Sequence, residues 1–202
     1  MDLSLALPAF VALFVVIDPV GLAPIFVALT AGRELAERRR IALRAVIVAL
    51  AVLTLFGLAG ETVLSFLGIS MPAFRIAGGL LLFLTALDML FERRTERRQG
   101  KSEPTADDPA VFPLAIPLIA GPGAIAAMIL LTSEVGALDV ALIHLVMVAV
   151  LALVLALFLL ASPLERLLGP TGIVVVTRLF GMLLAALSVQ FVIDGLVDLQ
   201  VL

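Results

Sequence analysis

Six stretches of this sequence are apolar and are each long enough to cross a lipid bilayer. A membrane-spanning helix needs about 20 mostly apolar residues. Apolar residues make up 63% of the 202 positions, against about 45–50% in ordinary globular proteins, and a soluble domain of this size could not bury so much apolar surface. We therefore predict an all-α integral membrane protein, with transmembrane helices within residues 3–31, 41–60, 68–91, 111–133, 138–161 and 173–197.

Basic residues are concentrated in alternate loops of this topology. The first, third and fifth loops carry, in chain order, Arg33, Arg38, Arg39, Arg40 and Arg44, then Arg93, Arg94, Arg97, Arg98 and Lys101, then Arg166. Because Lys and Arg mark cytoplasmic loops, we expect these loops in the cytoplasm and both termini outside. The start of the chain is acidic at Asp2, unlike a secretory signal, so we expect the first apolar run to stay in the membrane.

The sequence matches itself, without gaps, at a shift of 103 residues. This shift places Pro19 on Pro122 and Arg75 on Arg178, which are the only arginines well inside predicted spans. Each half then holds three helices, an odd number, so the halves enter the membrane with opposite orientation. Such inverted repeats are common in secondary transporters. We expect repeat one at 1–91, a flexible cytoplasmic linker at 92–108 and repeat two at 109–202.

The first and fourth helices are predicted to be broken, each at a proline that follows a capping residue. Asp18 precedes Pro19, and Gly121 precedes Pro122. The residue before a proline is pushed out of the helical region, whereas proline suits the first position of a helix and Asp or Gly suits its N-cap. We therefore expect a second half-helix to begin at each proline, near the bilayer centre. The simpler alternative is that both prolines only kink their helices.

The two predicted half-helix starts differ in charge. A helix start presents free N–H groups and about half a positive charge. Asp18 can supply a carboxylate that balances both at its own helix start, whereas Gly121 has no side chain to do so. A zwitterion would fit this asymmetry, with its carboxylate near Gly121 and its ammonium, or a coupling H⁺ or Na⁺, near Asp18. The candidate substrate-binding residues are Asp18, Pro19, Gly21, Gly121, Pro122, Gly123 and Ala124.

Four charged residues inside the third and sixth helices suggest a gate. If these helices pack together, Arg75 could pair with Asp194 near the outer surface, and Arg178 with Asp88 near the inner surface. Breaking one pair at a time would alternate access to a midplane site. The alternative is that each side chain reaches to its nearer interface. Further candidates for polar groups facing the interior are Thr85, Ser188 and Gln190.

Several kinds of chemistry find no support in the sequence. The chain has no cysteine and a single histidine, His144, so we expect neither a transition-metal site nor any other cofactor. No nucleophile–base pair is readable, which argues against an enzyme. The basic loops are explained as topology determinants, and we expect no nucleic-acid partner.

The motifs around the two breaks resemble those of the MarC family of bacterial inner-membrane proteins. The resemblance covers nearly the whole chain and lies in four segments: 18–26 (DPVGLAPIF), 75–79 (RIAGG), 117–125 (PLIAGPGAI) and the last helix from Arg178 to Gly195. It implies a six-helix inner-membrane protein of the neutral amino acid transporter class, with glycine and alanine as substrates and a cation as the coupled species.

Our first hypothesis is therefore a secondary transporter of small neutral amino acids. The alternatives are a channel-like pore for a small solute, a non-transporting membrane scaffold and an intramembrane enzyme. The sequence leaves the direction of transport, the coupling ion and the presence of a homo-oligomer open.

Overall fold

The computed structural model describes residues 3–91, 109–133 and 135–200, without the side chains at 3, 162, 164–166 and 170. The predicted linker at 92–108 lies outside the described residues. The described chain is helical throughout and contains no strand. After a single turn of 3₁₀-helix at Leu3–Leu5, the elements are α1 (Ala6–Ile17), α2 (Pro19–Leu29), α3 (Leu35–Phe66), α4 (Met71–Leu90), α5 (Ala110–Ile119), α6 (Pro122–Thr132), α7 (Ala137–Leu159) and α8 (Ala161–Asp198).

The described helices account for five or six membrane spans. Five are long and apolar enough: α1 with α2, α3, α4, α7 and the part of α8 from Thr171 to Asp198. A sixth arises if the bent pair α5–α6 is counted as one span. The helix α3 has 32 residues, about 48 Å, whereas the hydrocarbon layer is about 30 Å thick. Its charged first turns therefore extend beyond the apolar window at 41–60.

The first span is interrupted at Asp18, as predicted. Asp18 adopts a left-handed conformation (φ 54°, ψ 65°), and Pro19 is the first residue of α2. A non-glycine residue rarely adopts this conformation, although a short Asp side chain tolerates it. The break leaves α1 and α2 aligned closely enough to form one span, Ala6–Leu29.

The fourth span is interrupted more strongly. The helix α6 begins at Pro122 with Gly121 as its N-cap, and α5 and α6 meet at 55°. The segment α5 is itself irregular, because Phe112 and Ile116 are extended. Both precede prolines, which disfavour the helical conformation in the residue before them. The irregularities at Phe112 and Ile116 add to the break predicted at Pro122.

The helix α8 begins earlier than expected. Residues 161–168 were predicted as the end of the fifth span and a loop, yet they form the start of α8, which then turns at Gly169 (φ 62°). Glycine adopts this positive φ at no steric cost. Pro163 did not prevent the helix, because proline is tolerated in a first turn, where its missing N–H has no intrahelical partner.

The helices α4 and α8 form the most extensive packed pair in the described structure. They run antiparallel, and glycines bring their backbones together. A Cβ at Gly79 would lie 2.7 Å from the Ser188 carbonyl oxygen, one at Gly181 would lie 3.2 Å from that of Ala86, and one at Gly195 would lie 3.0 Å from that of Pro72. Small residues commonly form helix interfaces in membranes, where close van der Waals contact replaces the hydrophobic effect.

The core lies between the two halves of the chain rather than within either half. The first span packs against α6, α7 and α8, and α3 packs against α5, α6 and α7. Around the Asp18 break the core is dense and apolar, with Leu13, Ile17 and Leu22 fully buried. The breaks are therefore enclosed by helices of both halves.

The α4–α8 contact predicts a strong effect of added volume at Gly79. We expect Gly79→Val to destabilise the protein by about 1–3 kcal/mol, because overpacking forces backbones apart and the new side chain would meet Ser188 and Val192. The measurement is the thermal midpoint in detergent. Ala77→Val, at an exposed position of the same helix, is the matched control and should melt within error of the wild type. An equal effect of both variants would contradict the close α4–α8 approach.

Candidate functional site

The carboxylate of Asp18 caps the second half-helix of the first span. Its Oδ1 accepts a hydrogen bond from the Gly21 backbone N–H at 3.0 Å. The residue is 1% exposed, so the carboxylate lies inside the protein rather than against lipid. The sequence-based prediction of this cap is confirmed.

Gly21 lets the Asp18 carboxylate and a threonine of α8 come together. A Cβ at Gly21 would lie 2.1 Å from Asp18 Oδ2 and 2.9 Å from Thr177 Oγ1. The Thr177 hydroxyl oxygen is buried and makes no hydrogen bond within the described chain. Polar groups from two spans thus lie close together at the Asp18 break, and Gly21 has no room for a side chain.

Thr177 was missed by the sequence analysis. Its counterpart at the 103-residue shift is Phe74, so the repeat comparison gave it no signal. It is one of the few polar residues of the last span and directly precedes Arg178. Only the packing of α8 against α2 shows that it faces the Asp18 break.

The start of α6 has no side-chain cap. Gly121 is extended (φ −82°, ψ 171°), and within the described structure no side chain caps this helix start. The first intrahelical bond runs from Ile125 N–H to the Gly121 carbonyl at 3.0 Å. The N–H groups of Gly123 and Ala124 precede that bond and belong to the set that a helix leaves unsatisfied. Gly121 itself is tightly placed, since a Cβ there would lie 2.6 Å from the Pro117 carbonyl oxygen.

Gly123 lies where side chains near the two breaks come together. A Cβ at this position would lie 3.1 Å from Leu82 Cδ2 and 3.5 Å from both Thr85 Oγ1 and Val16 Cγ1. Val16 lies two residues before Asp18, so the end of α1, the start of α6 and the middle of α4 meet here. Because Gly123 is enclosed by side chains, a valine at this position would disturb packing as well as any ligand.

The remaining predicted site residues differ in where the structure places them. Pro19 and Ala124 are buried beside the breaks, whereas Pro122 is exposed. Thr85 and Ser188 donate hydrogen bonds to carbonyls of their own helices, Leu81 and Ala185 respectively. Gln190 is exposed on α8 and donates a hydrogen bond to Asp194 Oδ1 at 2.7 Å. It is therefore not brought to the breaks.

The predicted ion pair between Arg75 and Asp194 is replaced by one between Arg75 and Asp198. The cause is the direction of helical side chains, which tilt toward the N-terminus of their own helix. Since α4 and α8 are antiparallel, Arg75 reaches toward the C-terminal end of α8, where Asp198 lies. Asp194 tilts the opposite way, toward Gln190.

The second predicted pair stays a prediction. Arg178 is exposed on α8, and Asp88 is partly buried on α4. The packing of α4 against α8 that this pair requires is present.

The described residues contain no group of three or more His, Asp or Glu side chains that could hold a metal ion. His144 donates from Nδ1 to the Val140 carbonyl at 2.8 Å. Its Nε2 is buried and lies 2.9 Å from where a Cβ of Gly57 would be. The histidine is thus part of the α3–α7 contact.

The Arg75 geometry predicts which aspartate is energetically coupled to this arginine. In a double-mutant cycle, Arg75→Ala and Asp198→Ala should show a coupling free energy of about 0.2–1 kcal/mol, a value suited to a partly exposed pair. Arg75→Ala and Asp194→Ala should show none. Unfolding in mixed micelles gives the measurement, with Asp194 as the matched control. Coupling to Asp194 instead of Asp198 would contradict the assignment.

Comparisons with known proteins agree with the helical architecture. The family model described as MarC family integral membrane protein matches residues 3–200. A UPF0056 membrane protein of Archaeoglobus fulgidus is 38% identical over 97% of this chain and 94% of its own. One of Methanocaldococcus jannaschii is 39% identical, over 97% and 98% respectively.

A third relative is the UPF0056 inner membrane protein YhgN of Escherichia coli K12, which is 35% identical over 93% of this chain and 94% of its own. No solved structure matches the chain. With the family model covering almost every residue, and relatives above 30% identity aligned along nearly the full length, this chain belongs to the MarC family of integral membrane proteins.

Proposed function

We propose that the protein is a secondary transporter of small neutral amino acids, with glycine and alanine as substrates and a cation as the coupled species. The observation that carries this proposal is the meeting of two broken spans with different chemistry. One break holds a buried carboxylate, Asp18, and the other is an uncapped helix start at Gly121. Val16 and Gly123 bring these breaks into one neighbourhood.

The uncapped start of α6 supports binding of a carboxylate. The N–H groups of Gly123 and Ala124 sit at the positive end of a helix dipole, and a buried helix start needs partners for such groups. Helix starts bind anions for the same reasons. A substrate carboxylate supplies both the charge and the acceptors.

The Asp18 break supports binding of a positive charge. An ionised carboxylate at the centre of a membrane helix costs about 2.5–3.5 kcal/mol on insertion scales and usually marks a functional site. Asp18 and Thr177 present oxygen atoms to the same point beside Gly21. The substrate ammonium or a coupling cation would bind there. A proton on Asp18 would serve the same coupling role.

The walls of this neighbourhood favour a small substrate. Val16 and Leu82 are apolar, Ala124 is 2% exposed, and neither Gly21 nor Gly123 has free space for a side chain of its own. A zwitterion with a hydrogen atom or a methyl group as its side chain matches a site that offers charge partners at two ends and apolar contacts between them.

The pairing of helices supports an inverted repeat with halves at 1–91 and 109–202. The first span packs against α7 and α8, and the fourth span packs against α3 and α4, which are the counterparts under exchange of the halves. Of the three remaining major contacts, α3–α7 and α4–α8 each join a helix to its own counterpart, and α1–α6 joins the first span to the fourth. An inverted repeat with both termini outside would place the site between the halves, as alternating access requires. The name of the E. coli relative supports an inner-membrane location.

Transport is tested by uptake into proteoliposomes. We expect saturable uptake of labelled glycine and alanine, accumulation under an imposed proton or sodium gradient, and exchange in counterflow. Flux without counterflow would indicate a channel-like pore. No flux of either amino acid under any gradient, with correctly folded protein, would overturn the proposal and favour a scaffold.

The role of Asp18 predicts a specific transport defect. Asp18→Asn keeps an oxygen that can cap Gly21 N–H but removes the charge. If Asp18 carries the coupling cation, this variant should lose gradient-driven accumulation while retaining counterflow. If Asp18 binds the substrate ammonium, both activities should fall together. Labelled glycine flux with and without a gradient distinguishes these outcomes.

The matched control is Asp139→Asn, which removes a carboxylate from the first turn of α7, away from both breaks. It should transport as the wild type does. Normal accumulation by Asp18→Asn would reduce Asp18 to a structural cap and remove it from the mechanism.

A further inference from the structure

A cavity of about 170 Å³ lies at the membrane face where α2 ends and α3 begins. None of the break residues Asp18, Gly21, Gly121 and Gly123 lines it, although Phe26 belongs to α2. Two arginines, Arg38 and Arg39, line its walls together with five apolar residues, among them Phe26, Phe158, Leu35 and Leu159. It is smaller than the cavities of about 300–1,000 Å³ that hold drug-sized ligands, so it suits a single compact chemical group.

The floor of the cavity is aromatic. Phe26 and Phe158 stack with ring centroids 4.5 Å apart and planes 4° from parallel. Both rings are fully buried. The Arg38 guanidinium lies over the Phe26 ring, 5.6 Å from its centroid, in a cation–π contact. This contact helps to hold one positive charge at the cavity wall.

The two cavity arginines differ from their neighbour Arg33. Arg33 forms an ion pair with Glu37 one turn along the chain. Among the described residues, neither Arg38 nor Arg39 forms an ion pair. A topology determinant needs only positive charge in the loop, so it explains the presence of the arginines but not their position around an aromatic-floored cavity.

We propose that this cavity binds the phosphate headgroup of an anionic phospholipid. Two guanidinium groups give the charge and the hydrogen-bond donors that a phosphate requires. Leu35 and Leu159, at the cavity edge, are 71% and 49% exposed and offer a path for the acyl chains. Basic pockets beside the ends of membrane helices bind such headgroups. This site is independent of transport.

The experiment is native mass spectrometry of the purified protein in detergent, with dioleoyl phosphatidylglycerol and dioleoyl phosphatidylcholine as probes. We expect retention of phosphatidylglycerol and loss of phosphatidylcholine. The double variant Arg38→Gln/Arg39→Gln should bind phosphatidylglycerol roughly thirty-fold more weakly. The double variant Arg38→Lys/Arg39→Lys keeps the charge and should recover part of the binding.

The matched control is Arg40→Gln, which removes an arginine from the same run but not from the cavity wall. It should bind as the wild type does. An equal loss in Arg40→Gln would indicate diffuse surface charge, and unchanged binding in Arg38→Gln/Arg39→Gln would exclude this cavity. Displacement of the lipid by millimolar inorganic phosphate would indicate a free-anion site. Each of these three results overturns the proposal. A thermal midpoint unchanged in the absence of lipid establishes that the variants are folded.

Discussion

Backbone N–H and C=O groups in the hydrocarbon layer have no water to bond, so a broken helix survives there only when protein encloses the break. The two breaks of this chain meet that condition. Asp18 satisfies one N–H of α2 with its own carboxylate, and both Asp18 and Ala124 are buried in the core. The arrangement of the other helices follows from this requirement, because α4, α7 and α8 supply the walls around the breaks.

Glycines allow the helices that enclose the two breaks to pack closely against one another. At Gly79, Gly181 and Gly195 the backbones of α4 and α8 approach each other directly, which forms a long antiparallel pair. Gly57 and Gly60 on α3 similarly receive Met128 and Ile129 of α6. The half-helix α6 is therefore held between α3 and α4, and the geometry of the second break depends on glycines far away in the sequence.

Local rules predicted the local features of this structure, and tertiary geometry decided the rest. The caps at Asp18 and Gly121 followed from the restrictions that proline places on its neighbours. The contact between Thr177 and the Asp18 break depends on the rotation of α8, which no local pattern reveals. The pairing of Arg75 with Asp198 could be predicted only from two further facts, the antiparallel packing of α4 and α8 and the tilt of helical side chains. The early start of α8 differs from the prediction because a proline such as Pro163 is typical of loops as well as of the first turn of a helix.

The interleaving of the two halves has a consequence for biosynthesis. Ribosomes release α1–α4 first, yet the surfaces that bury them belong to α5–α8. Until residues 109–200 have entered the membrane, the carboxylate of Asp18 and the glycine-lined face of α4 lack the helices that enclose them in the finished protein. The first half must therefore wait in the bilayer, protected by lipid or by the insertion machinery. A nascent chain arrested after α4 would present quality-control proteases with a membrane-embedded carboxyl group, which the complete chain conceals.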